Sequence, residues 1–290
     1  RSIFIMRKST IAKIAAFGTA MLWGSTFAIG KIAAESFSAS FIIALRFTVA
    51  SMVLLVASYP LHKLLSKDYW ISGIWMGITI FASYFLQTIG LTMETTPGKS
   101  AFLSTTYCVM VPFIYWLVTK EKPRLLHIIC VFICLTGIGI VSLQGGFGMA
   151  MGDVLTVLSG VPYAVNMVIN ALVAKDKNTL LLTTIELWVV SILAWIFVGA
   201  TGTFPTEFPI EAVGGIVYLG VFATALCLFL QTYCLKHMDA SICGMILSLE
   251  SVFGVVFAII LYHEQITLRM IVGFAVIFAA IMLSQKEEAV

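Results

Sequence analysis

Three ionisable side chains stand well inside long apolar runs of this sequence: Arg46, Glu186 and Glu250. A charge in hydrocarbon costs at least ~2.5–3.5 kcal/mol, so such a residue is expected to face a cavity or a partner. There it can pair with an opposite charge, bind substrate or hold a proton. The alternative is that Arg46 snorkels to an interface and that Glu186 sits near a helix end. Glu250 is the deepest of the three, roughly ten residues into its run, and is the candidate for a proton- or cation-sensitive group. Polar residues at helical spacing add to this set. Tyr163, Asn166 and Asn170 share one face, as do Ser100, Ser104 and Tyr107, and Thr224, Cys227 and Gln231; Tyr84, Gln87 and Thr88 cluster on another. Such stripes suit a wet cavity, and they suit hydrogen bonds between helices equally well. Trp23 and Trp188 are candidates for an aromatic pocket around a flat or cationic solute, whereas Trp70 and Trp116, near the ends of runs, read as interface anchors. The expected substrate contacts are therefore Trp23, Arg46, Tyr84, Gln87, Tyr107, Tyr163, Asn166, Glu186, Trp188, Gln231 and Glu250. No metal or cofactor is expected. All six cysteines lie inside apolar runs without a C-x-x-C pair, as small buried hydrophobes do.

The elements that must hold these residues are membrane helices. Of 290 residues, 60% are hydrophobic and only 11% charged, roughly half the charged fraction of a soluble domain. The net charge of +3, with no Lys/Arg-rich block, excludes a nucleic-acid surface. Ten apolar runs read as spans: 11–30, 40–58, 71–91, 98–118, 125–143, 153–173, 180–199, 213–235, 240–262 and 268–284. The first is too long for the apolar part of a secretory signal and is expected to be retained. The connections are short, and the longest, around 201–212 with Pro205 and Pro209, is only a loop.

Positive loops stay cytoplasmic. With the N-terminus inside, thirteen of the 17 Lys and Arg fall on the cytoplasmic side; only Lys31, Lys99 and Arg269 are external, and Arg46 is within a span. Both termini are thus expected in the cytoplasm of a multi-pass cell-membrane protein.

The spans repeat. Phe85-Leu86-Gln87-Thr88-x-x-Leu91 returns as Phe229-Leu230-Gln231-Thr232-x-x-Leu235, 144 residues on (85 to 229). A shift of 143 lays Glu121 on Glu264 and Leu125 on Leu268, and one of 140 lays Arg46 on Glu186 and Trp23-Gly24-Ser25-Thr26 on Tyr163-Ala164-Val165-Asn166. Halves of five spans, 1–145 and 146–290, enter the membrane from opposite sides. The expected fold is therefore all-α and membrane-integral, ten transmembrane helices in two inverted five-helix repeats, a design suited to alternating access. Cys130 and Cys134, with Ala275 and Ala279 in the equivalent helix, form small-xxx-small steps that suit packing within the chain or a dimer contact.

The motifs also form an ordered set. Trp23-Gly24-Ser25-Thr26-Phe27 is closed by Lys31; Ala44-Leu45-Arg46-Phe47 and Tyr84-x-x-Gln87 follow; then come Ala101-Phe102-Leu103, Pro112, Glu121-Lys122, and Glu250 fourteen residues before Glu264. Together these resemble the EamA-type transporters of the drug/metabolite transporter superfamily over essentially the whole chain. The resemblance implies ten helices in inverted repeats, a central cavity, alternating access, and export or exchange of metabolites or amino acids. It also carries one departure: Ser251 follows Glu250 where many members have proline, so a weaker helix break is expected there.

The contrasting class is an intramembrane enzyme acting on lipid-linked substrates. Such chemistry needs clustered Asp, His or Lys, yet the sequence has no Asp-rich motif, no H-E-x-x-H and no Gly-rich phosphate loop. His263-Glu264 is the nearest approach to a catalytic pair and reads more simply as a polar helix end. A nucleotide-sugar or lipid-linked sugar carrier is disfavoured because Arg46 is the one well-embedded cation. The expected partners are a small-molecule substrate and membrane lipid, with proton coupling, in a monomer or homodimer.

Overall fold

Backbone N–H and C=O groups that water cannot reach must bond to each other, and an apolar run meets that demand locally as a helix. The computed structural model describes residues 2–93, 95–120, 122–143, 149–237 and 240–286, and each of the ten apolar runs is helical in it. The α-helices are α1 (Ser2–Ala34), α2 (Ala39–Ser58), α3 (Lys67–Thr92), α4 (Pro97–Thr105), α5 (Tyr107–Thr119), α6 (Leu125–Ser142) and α7 (Met151–Val173). They continue with α8 (Thr179–Thr201), α9 (Ile210–Tyr218), α10 (Cys227–His237), α11 (Ala240–Leu247), α12 (Glu250–Tyr262) and α13 (Leu268–Lys286). No strand occurs among the described residues. Among the described residues, seven helical stretches, from Ala39–Leu64 to Ile210–His237, are long and apolar enough to cross a bilayer, and Glu250–Tyr262 and Leu268–Leu283 are shorter apolar helices. Glu121, half of one repeat pair, lies outside the described residues.

Burial runs opposite to that of a water-soluble protein. Val56, Phe132 and Ile196 point outward, while Thr156, Asn166 and Gln231 are fully enclosed. A lipid-facing surface explains both, since apolar side chains lose nothing there and polar ones must find partners inside.

Three helices depart from regularity. One run is interrupted at Thr106, where Ser104, Thr105 and Thr106 all turn their hydroxyls back onto carbonyls of their own helix at 2.6–2.7 Å. Such bonds compete with the backbone ladder. A second interruption, at Ser248–Leu249, separates α11 from α12. The helix stops and restarts here without proline. Ser251 Oγ and Ser251 N–H both reach Ser248 O, at 2.8 and 3.2 Å, which holds the tight turn instead. The third departure is a π-helical segment, Leu219–Leu226, joining α9 to α10 where a regular helix was expected.

Helix ends are capped by side chains. Ser38 accepts from Phe41 N, and Asn178 from Leu180 N and Leu181 N. Glu264 receives Thr96 Oγ1 at 2.5 Å and Gly98 N–H at 2.8 Å, closing the start of α4. α3 packs against α7 and α8, α2 against α8, α6 against α13, and α12 against α1 and α4.

Two expectations change here. Lys99 is not a loop charge; it is buried in the first turn of α4 and pairs with Asp153 at 3.3 Å, whose other oxygen takes Thr95 Oγ1 at 3.0 Å. Its spacing put it at the end of a run, but packing against α7 covers it. Ala275 and Ala279 face outward, and the close approach of α6 to α13 is made by Gly137 and Gly273 instead. A Cβ on either glycine would lie 3.1 Å from the other's carbonyl oxygen. Cys130 and Cys134 are buried within the chain.

Removing one partner of a buried ion pair strands the other charge. Lys99→Met is therefore expected to destabilise the protein by about 3–5 kcal/mol. The double variant Lys99→Met/Asp153→Leu is expected to recover most of that loss in thermal unfolding. Additive losses would show that the pair is not coupled.

Candidate functional site

Six helices bring polar and aromatic residues together inside the bundle. Trp23, Thr26 and Phe27 come from α1; Ser83, Tyr84 and Gln87 from α3; Ser104 from α4 and Tyr107 from α5; Ser159, Gly160 and Tyr163 from α7; and Glu250 from the first turn of α12. They line a narrow cavity between the helices. The interruptions matter here. By ending α4 and α11 at mid-depth, they place Tyr107 and Glu250 at helix starts, and an acidic side chain in a first helical turn is favoured by the helix dipole.

The cavity wall is aromatic and held in place by neighbours. The Tyr107 and Tyr163 rings lie 4.4 Å apart, and Trp23 meets Tyr163 edge-on at 6.3 Å. Trp23 Nε1 donates to Ala223 O at 2.9 Å, inside the π-helical segment. Gln231 Nε2 donates to Tyr163 Oη at 3.0 Å, and Thr105 Oγ1 donates to Glu250 Oε1 at 3.3 Å. Tyr107 Oη is buried. An enclosed carboxylate, several hydroxyls and five aromatic side chains form a setting for a small solute that bears a cationic or amine group.

Arg46 stands behind the wall rather than in it. Its Nε donates to Thr224 Oγ1 at 2.5 Å, and its guanidinium carbon lies 4.8 Å from the centre of the Tyr84 ring. It is buried, so it does not snorkel. It does not pair with Glu186, which lies on another seam and receives Asn166 Nδ2 at 2.8 Å. Glu186 and Asn166 therefore stand apart from the cavity lining. Trp188 does so as well: it is half-buried on α8 and does not line the cavity. Asn170 Nδ2 bonds Thr232 Oγ1 at 2.9 Å, an interhelical tie.

Of the eleven expected contacts, Trp23, Tyr84, Gln87, Tyr107, Tyr163 and Glu250 line this cavity. Arg46 and Gln231 support its wall. Asn166, Glu186 and Trp188 are elsewhere. Thr26, Phe27, Ser83, Ser159 and Gly160 were not foreseen as lining residues. Ser83 is one turn from Gln87 and Ser159 one turn from Tyr163, so extending each polar stripe by four residues would have found them.

A model described as the EamA-like transporter family matches this chain twice, over residues 10–143 and 150–285. An uncharacterized transporter of Archaeoglobus fulgidus is 29% identical, covering 92% of this chain and 83% of its own length. Uncharacterized transporter YetK of Bacillus subtilis is 21% identical over 97% of this chain and 88% of its own. A protein of solved crystal structure, 17% identical, superposes over 94% of this chain and 96% of its own with a TM-score of 0.69, a likeness of fold alone. With one family model covering nearly all of its length, and with the apolar helices and inward-turned polar faces described above, this chain belongs to the EamA-like transporter family and is a multi-pass membrane transporter.

Proposed function

We propose that the protein is a secondary carrier that exports a small polar or cationic metabolite, an amino acid or a related amine, across the cytoplasmic membrane. The observation that carries this reading is the aromatic cavity with Glu250 as the sole acidic group in its lining. A carboxylate among ring faces attracts an ammonium group and repels anions, which disfavours nucleotide-sugars. Membership of a transporter family argues against an intramembrane enzyme.

The mechanism we propose is alternating access by two inverted five-helix halves, 1–145 and 146–290, with ten spans and both termini cytoplasmic. Several features support the repeat beyond sequence. The two helix interruptions are 143 residues apart (Thr106 to Leu249), as are Lys120 and His263, the left-handed helix caps with φ of 65° and 53°. The side-chain N-caps Ser38 and Asn178 differ by 140, the offset that relates Arg46 to Glu186. The packing follows the same exchange: α3 on α7 in one direction matches α10 on α1 in the other.

Liposomes holding the purified protein, given a panel of labelled amino acids and organic cations with and without a pH gradient, test the function. Saturable movement of at least one amine-bearing solute is expected. If only anionic or uncharged solutes move, the reading of the cavity is wrong. For the topology, single cysteines at Glu121 and Glu264, in a background without the six native ones, are expected to label from opposite sides of the membrane. Labelling of both from one side would remove the inverted halves.

A further inference from the structure

Outside the cavity, α7, α8 and α3 meet around a second enclosed polar group. Asn166 on α7 and Glu186 on α8 are 0% and 1% exposed. Asn166 Nδ2 faces three acceptors: Glu186 Oε1 at 2.8 Å, Met76 O at 3.0 Å and Thr79 Oγ1 at 3.3 Å, the last two on α3. A carbonyl such as Met76 O only accepts, so the NH₂ side of the amide must point this way. That leaves Asn166 Oδ1 and Glu186 Oε2, both buried and both without a partner among the described residues. Two bare acceptor oxygens on residues already joined by one hydrogen bond are costly to enclose.

One proton resolves both. With a hydrogen on Oε2, the carboxyl group donates to Asn166 Oδ1 while Asn166 Nδ2 continues to donate to Oε1. The acid and the amide then close a two-bond ring. No cation does this in its place: on the elements around Glu186, Arg46 of α2 is engaged by Thr224 and Tyr84, and Lys177 lies at the helix end with Asp68. The titratable neighbours Tyr84 on α3, Tyr163 on α7 and Cys227 on α10 make no hydrogen bond or ion pair with Glu186 among the described residues.

We infer that the Glu186–Asn166 pair is a one-proton binding site, separate from the solute cavity and built on the seam where α3 meets α7 and α8. The proton comes from water, binds Oε2 and cancels one negative charge. Because Asn166 also holds Met76 O and Thr79 Oγ1, loading the proton adds a second bond between α8 and the point where α7 meets α3. A role in driving transport rests on the carrier reading above; binding of the proton does not.

The test is difference infrared spectroscopy of the purified chain in lipid vesicles, recorded on acidification in H₂O and D₂O. A protonated-carboxyl C=O band is expected to appear, to be lost in Glu186→Gln and to shift in frequency in Asn166→Leu, which keeps the acid but removes its partner. Glu250→Gln is expected to leave that component in place. Glutamine can form the same two-bond ring with Asn166, so Glu186→Gln is expected to fold; the Asn166→Leu arm decides the matter if it does not. A band unchanged in either variant overturns the assignment. Vesicles in which no solute moves, yet the band behaves as stated, would defeat the carrier reading and leave the proton site standing.

Discussion

Glu250→Gln is expected to reduce transport of amine-bearing solutes by roughly tenfold to a hundredfold while leaving the protein folded. The carboxylate lines the cavity at the start of α12 and receives a single 3.3 Å bond from Thr105. Its remaining acceptor capacity is open to a solute. A hydrogen bond to a charged partner is worth about 1.5–3 kcal/mol, and each 1.4 kcal/mol is a factor of ten in affinity. Glutamine keeps the shape and one carbonyl oxygen but carries no charge, so the loss falls on binding rather than packing. The measurement is initial uptake into liposomes against solute concentration, beside thermal unfolding of the same preparation. Unchanged transport with unchanged pH dependence would remove Glu250 from the site.

Gly254→Leu is expected to destabilise the protein strongly. A Cβ at Gly254 would fall on the Cβ of Ala101 in α4 and 3.3 Å from Phe27 in α1. Across the same crossing, a Cβ at Gly24 would fall on Phe253 and 2.8 Å from Gly254 N. Three helices thus approach to backbone contact beside the cavity, and there is no flexible side-chain end to yield. Overpacking of a filled core costs about 1–3 kcal/mol, and more where the backbone must move. Thermal unfolding of Gly254→Leu should therefore fall well below wild type, or the variant should fail to accumulate. Gly18→Leu is the control: it lies on α1 with nothing within 4 Å of its added Cβ and should differ by no more than about 0.5 kcal/mol. Equal effects at the two positions would mean that the α1–α4–α12 crossing is looser than its geometry implies.

The eleven expected contacts divide instructively. Trp23, Tyr84, Tyr107, Tyr163 and Glu250 were legible because each is a polar or aromatic residue at mid-run, where lipid offers it nothing. Trp188 met the same criterion and does not line the cavity. Its position along α8 was readable, but the rotation of α8 about its axis was not, since a helix that is apolar nearly all round carries no strong signal of which face turns inward. Lys99 failed in the opposite sense: a charge at the end of a run reads as exposed, and only Asp153 from another helix makes it a buried residue.

What the residues determine alone is local and one-dimensional. Hydrophobic runs set where helices form, Lys and Arg asymmetry sets the expected orientation, and recurrence at offsets of 140–144 sets the expected halves; none of these needs knowledge of what touches what. Tertiary structure decided the rest. The bond from Trp23 to Ala223 O in the π-helical turn, and the parting of Arg46 from Glu186 as each takes another partner, depend on contacts between residues well separated in the chain. A polar group inside an apolar bundle must take whichever partner packing brings within about 3 Å, and that partner is invisible along the chain.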